Sequence, residues 1–127
     1  MSKTNYLEAQ ILNHVLRATP YSSPSAVYVA LFTVAPTETG GGTEVSGGSY
    51  VRQTVTFTAP APDSVSNTAD VTFPIATADW GDIEAFALMD QPSSGNMLYF
   101  ANLTAPRTIN TSDQFRFPDG QLVCSES

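Results

Sequence analysis

The stretch "AVYVALFT", Ala26 to Thr33, is apolar at successive positions rather than at alternate ones. A strand with one wet face alternates apolar and polar residues, so this run predicts a strand covered on both sides. Two more runs share the character, "DIEAFALMD" (Asp82 to Asp90) and "NMLYFANL" (Asn96 to Leu103). "SSGN" (Ser93 to Asn96) joins them and has the composition of a hairpin connection.

Outward from these runs, "YVRQTVTF" (Tyr50 to Phe57) alternates, with Val51, Val55 and Phe57 on one face and Arg52, Thr54 and Thr56 on the other. "ADVTFPIAT" (Ala69 to Thr77) sets Val71, Phe73 and Ile75 together, and its Pro74 argues for an edge position or a bulge. "QFRFPDGQLVC" (Gln114 to Cys124) reads as two short strands around the turn signal "PDG". About seven short strands separated by Pro, Gly, Ser and Asn predict a mainly β protein, an antiparallel β-sandwich or jelly roll. "TAPAPDSVSNTAD" (Thr58 to Asp70) has the length of a crossing between sheets.

One helix precedes them. In "TNYLEAQILNHVLRAT" (Thr4 to Thr19), Leu7, Ile11, Val15 and Ala18 recur at helical spacing, and Leu12 and Leu16 widen the apolar arc. Asn5 is the expected N-cap with Glu8 three residues on, and Pro20 limits continuation. The expected organisation is one domain over 1–127, with a helical arm over 1–20 and a sandwich over 26–124.

Composition narrows the function. A net charge of -7 with five Lys and Arg repels phosphate backbones, so nucleic-acid binding is not expected. No apolar run approaches the roughly 18 residues of a membrane helix, and no membrane partner is expected. The single Cys124 forms no internal disulfide and reads as a buried, inert thiol, compatible with assembly in a reducing cytoplasm. Charged residues make up only 13%, so neutral polar side chains fill the surface positions, where other protein can cover them.

"TETGGGTEVSGG", Thr37 to Gly48, holds five of the eight glycines. A phosphate loop needs a helix after it and usually a lysine at its end. Here Thr43 and Glu44 follow the glycines and a strand pattern follows Gly48, so the stretch reads as a mobile surface loop open to a protein partner. His14, the only histidine, sits at the edge of the helical arc, and no G-x-S-x-G motif accompanies it. Pairing of His14 with Cys124 is formally open, but the position of Cys124 in a strand pattern argues against it. Asp79, Asp82 and Glu84 in "ADWGDIEAF" have carboxylates in the number that glycoside hydrolysis or calcium binding uses. Asp79 to Asp82 reads more simply as a reversal before a strand, with Trp80 over the core rather than stacked on a sugar. No catalytic residue, cofactor or metal is expected, and the protein is read as a non-enzyme.

Three blocks, in this order and after a short helix, carry a resemblance. They are "YVALFTVAPTETGGGTEVSGGSYVRQTVTF" (Tyr28 to Phe57), "SNTADVTFPIATADWGDIEAFALMD" (Ser66 to Asp90) and "SGNMLYFANLTAPRTINTSDQFRFPDGQLV" (Ser94 to Val123). The chain resembles a family of small virion structural proteins of tailed bacteriophages, departing from it at "TSD" (Thr111 to Asp113), where relatives tend to carry a glycine before the aspartate. The resemblance implies a virion protein assembled in the bacterial cytoplasm. It implies a capsid cement or decoration protein that binds the major capsid protein as a homo-oligomer, with a trimer expected. The alternative it carries is a tail fibre or baseplate component bound to tail proteins; a carbohydrate-binding module comes third. Absence of a shaft-like repeat favours the head. The expected contact residues are Leu7, Ile11 and Val15 on the helix and Gly40, Gly41, Gly42 and Glu44 in the loop.

Overall fold

A computed structural model describes residues 1–125. In chain order the elements are β1 (Ser2–Lys3), α1 (Asn5–Leu16), β2 (Val27–Val34), β3 (Thr43–Glu44), β4 (Gln53–Val55), β5 (Ser64–Ser66), β6 (Val71–Thr72), β7 (Gly81–Met89), β8 (Met97–Ile109), β9 (Arg116–Phe117) and β10 (Val123–Ser125). A large antiparallel sheet runs β1-β8-β7-β2-β3, with β4 also pairing β2. Two small antiparallel ribbons, β10-β5 and β6-β9, complete a mainly β, sandwich-like architecture.

The two-faced reading of β2 and β7 holds. Val29 and Leu31 enter the main core, whereas Ala30 and Phe32 belong to a second cluster on the other face. On β7, Ile83, Phe86 and Leu88 join the main core and Ala85, Ala87 and Met89 the second. The parity changes between Ile83 and Phe86, where the register with β8 shifts from Ile83–Arg107 to Ala85–Asn102. The main core takes Val71 and Phe73 from around β6, Phe115 and Phe117 from around β9, and Leu122 from before β10. Phe73 sits edge-on to Trp80 and Phe115, with centroids 6.5 and 6.0 Å away. Each such side chain contributes roughly 1.5–3 kcal/mol by leaving water.

Several local expectations change. Thr4, not Asn5, caps the helix: its Oγ1 accepts from Leu7 N at 3.3 Å. Thr4 is fixed there because Oγ1 also donates to Met97 O at 2.6 Å and its N–H to Leu98 O at 3.0 Å. The helix ends at Leu16, earlier than Pro20 requires, because Ala18 turns to φ +55°. Ile75 is exposed and Ala76 buried, since the strand stops at Thr72 and the backbone past Pro74 changes phase. Val51 is exposed as well, because β4 begins only at Gln53. Two short strands do flank the "PDG" turn, β9 and β10, but each pairs elsewhere: β9 with β6 and β10 with β5. Buried Asn67 ties these ribbons, donating to Ala69 O at 2.8 Å and Pro118 O at 3.0 Å and accepting from Leu122 N at 2.9 Å.

Candidate functional site

The glycine-rich stretch is a built hairpin rather than an open loop. Thr37 and Gly40 exchange two backbone hydrogen bonds of 2.9 Å. Thr43 and Glu44 then pair β2 beside Val34 and Phe32, and Val45 is buried. The Glu38 carbonyl accepts from Asn5 N at 2.8 Å, which fastens the hairpin tip to the start of α1. Between this tip, Thr4 to Tyr6 of the helix start, and Ser94 to Met97 of the β7–β8 turn lies a cleft of about 620 Å³. Phe32 and Met89 contribute apolar wall; Glu44 and Arg52 line its charged side.

Arg52 organises that side. Its Nε and Nη2 each lie 2.8 Å from a Glu44 carboxylate oxygen, a bidentate pair. Its Nη1 donates to Gln91 O at 2.9 Å and Ser94 O at 2.8 Å. Tyr50 donates from its hydroxyl to Glu44 at 2.6 Å and accepts from Leu31 N at 3.0 Å. Burial opposes charge on Glu44, yet the hydrogen bonds from Arg52 and Tyr50 outweigh it and hold the carboxyl below its ordinary range. Burial, and then the bond to the Glu44 carboxylate, push the Tyr50 phenol above its ordinary value. The hydrogen bond to Glu44 holds Arg52 more firmly protonated, against its own burial.

The residues singled out from the sequence are dispersed. Gly40, Gly41, Gly42 and Glu44 do line the cleft, but Glu44 is half-buried and engaged by Arg52 and Tyr50. Leu7 is buried inside the protein, Ile11 is half-buried and Val15 is exposed. Only Leu7 of the three is enclosed. Sequence reading missed Arg52 and Tyr50. The one available signal was a lone arginine among the neutral residues of "YVRQTVTF".

The acidic set is not the expected reversal: β7 already begins at Gly81 and carries Asp82 and Glu84, and only Asp79 precedes it. Asp79 accepts from Thr111 N at 2.8 Å and Thr111 Oγ1 at 3.0 Å, and Asp82 from Thr108 Oγ1. Trp80 is buried and donates to Gly48 O at 2.9 Å, so it presents no face to a sugar. His14 Nδ1 accepts from Tyr21 N at 3.1 Å, and Cys124 is buried on β10. Among the described residues no group of three His, Cys, Asp or Glu is placed to hold a metal ion. None of their helices is long and apolar enough to cross a membrane. What the cleft offers is hydroxyls, amides and backbone groups beside apolar wall, the chemistry of contact.

Residues 2–125 match a family model described as Podophage GP4 fiber I protein gp80. No curated protein matches the chain.

Proposed function

The chain belongs to the podophage GP4 fiber I protein gp80 family, and from that premise we propose that it is a non-enzymatic component of the phage tail fibre that works through protein contacts. The observation that carries this reading is the extent of the match, 2–125, which takes in the helix, both sheet layers and the cleft. The family description names a fiber protein and so favours the fibre alternative over capsid cement. The low share of charged residues, 13%, supports a contact role, since neutral polar groups cost less to desolvate than ions. The cleft-side ion pair is internally satisfied, and in this reading it holds the hairpin in shape for a neighbour.

Gold-labelled antibody against this protein on intact particles tests the assignment. Label confined to the tail is the expected result. Label distributed over the head surface would replace the fibre reading with cement. A panel of glycosidase, esterase and protease substrates is expected to show no turnover, and activity removed by Asp79→Asn or Asp82→Asn would overturn the non-enzymatic part.

A further inference from the structure

A second cleft, of about 530 Å³, lies between β8 and the segment that carries β9 and β10. The register of β8 shapes it. Asn102 stands opposite Ala85 and Arg107 opposite Ile83, so Leu103 to Pro106 are set against Glu84 alone. A bulge of this kind bends its strand and re-aims the side chains on it. Leu103 and Arg107, on either side of the bulge, both line the cleft. Phe86 and Phe117 form apolar wall, with ring centroids 5.2 Å apart.

Charge sets this cleft apart from the first. The chain carries -7, yet no Asp or Glu lines it. Carboxylates nearby are engaged elsewhere: Asp82 accepts from Thr108, and Asp70 accepts from Arg116 and from Asp119 N. Glu84 is exposed on β7 and lies outside the lining. Arg116 also lines the cleft, but it is paired with Asp70 at 3.2 Å. Among the described residues Arg107 makes no ion pair. It is exposed, and its Cζ lies over the Phe115 ring, 5.2 Å from the centroid. The ring holds the cation without using any of its N–H donors. Arg52 in the first cleft has its donors taken by Glu44, Gln91 and Ser94.

These features select an occupant. A positioned guanidinium beside apolar wall suits a carboxylate carried next to an apolar group. A sugar ring would need an open aromatic face. Phe86 and Phe117 are each 8% exposed, and Phe115 is 2% exposed beneath Arg107. A polypeptide segment supplies both groups, because acidic and apolar side chains stand on one backbone. We propose that this cleft is a second contact site, which takes a partner segment bringing a carboxylate onto Arg107 and an apolar side chain against Phe86, Phe117 and Leu103. The proposal rests on the reading of this chain as a protein that works by contact. Its test uses the purified chain, so loss of peptide binding and loss of tail label are separate results.

The probe is the dipeptide phenylalanyl-glutamate, acetylated and amidated at its ends, with its phenylalanyl-glutamine counterpart as the neutral control. Amide-detected NMR follows each titration up to about 20 mM, a range that reaches the weak affinity of so small a ligand. Saturable shifts are expected at Phe86, Leu103, Arg107 and Phe117. The glutamate peptide is expected to bind about three- to tenfold more tightly than the control. Raising salt should weaken the glutamate peptide and leave the control unchanged. Arg107→Gln should remove the preference, with amide shifts away from the cleft unchanged as the check on folding. Equal affinity for the two peptides, or no saturable shift at the cleft, overturns the proposal in the parent chain alone. A folded Arg107→Gln chain that keeps the preference overturns it as well. Glucuronic acid binding there as tightly as the glutamate peptide would assign the cleft to acidic sugars in place of a polypeptide.

Discussion

Arg52 and Glu44 meet fork to fork, with Nε and Nη2 each 2.8 Å from a carboxylate oxygen. The pair joins β3 to the segment entering β4, and through Gln91 O and Ser94 O it also grips the β7–β8 turn. The Arg52 side chain is only 7% exposed. Removing one partner from a pair this enclosed strands the other, at a cost of about 2–4 kcal/mol. Arg52→Ala is expected to lower the urea midpoint accordingly. Arg52→Lys should recover only part, because an ammonium cannot span both carboxylate oxygens and both carbonyls. Arg52→Ala with Glu44→Ala should cost less than the sum of the single changes.

Stability should also depend on pH through this cluster. The folded state holds the Glu44 carboxyl below its ordinary value of 4.5. Its contribution is therefore complete above that value and is lost as pH falls below it toward the depressed folded pKa. Tyr50 moves the other way, above its ordinary value of 10.0. Its contribution is complete below 10.0 and declines as pH rises beyond it. Denaturation midpoints should form a plateau between these limits and fall on both sides. Glu44→Gln should flatten the acid limb and Tyr50→Phe the alkaline limb. An acid limb unchanged in Glu44→Gln would remove Glu44 from the explanation.

The strands that carry the core were legible because burial on two faces leaves a mark in a short run of residues. "AVYVALFT" and "DIEAFALMD" became β2 and β7, and "SSGN" became part of the turn from β7 to β8. The far half of β8, Thr104 to Ile109, was not legible: "TAPRTI" is polar, interrupted by Pro106, and mostly exposed. An edge tolerates proline because that N–H has no ladder partner to lose. The Glu44–Arg52 pair left no trace either. Its members lie eight residues apart and meet only because β3 and β4 both pair β2. The helix was found by its period, but periodicity does not tell which apolar arc turns inward. That depended on the Thr4 anchor, whose partners lie some ninety positions away.

Trp80 and Gly48 should behave as one unit. Trp80 Nε1 donates to Gly48 O at 2.9 Å, and a Cβ at Gly48 would stand 2.9 Å from that same nitrogen and 3.0 Å from Ala78 O. Trp80→Phe keeps most of the ring but removes one of the two donors to the Gly48 carbonyl, which still accepts from Thr77 N at 3.1 Å, so the lost bond costs about 0.5–1.5 kcal/mol. Gly48→Ala adds the collision to the strain of φ +58°, and that strain alone costs about 1–2 kcal/mol. Both changes break the same contact, so the double variant should be clearly less destabilised than the sum, as read from denaturant midpoints.

The three consecutive glycines offer the sharpest contrast within one motif. Gly40, Gly41 and Gly42 all have positive φ, at +92°, +78° and +73°. A Cβ at Gly40 or Gly41 would meet nothing within 4 Å, so alanine there costs only backbone strain, about 1–2 kcal/mol. At Gly42 the same Cβ would lie 2.5 Å from Val34 O and 2.9 Å from Pro36 N. These are backbone atoms and cannot swing aside, so β3 must move off β2. Gly42→Ala should therefore exceed either neighbour in cost and loosen the pairing of Thr43 and Glu44. A glutamate-specific protease reports this directly. In the parent chain cleavage is expected at exposed Glu38 and not at half-buried, ion-paired Glu44. Gly42→Ala should open Glu44 to cleavage, whereas Gly40→Ala should leave the pattern unchanged. Equal cutting at both glutamates in the parent chain would show that the hairpin does not hold in solution.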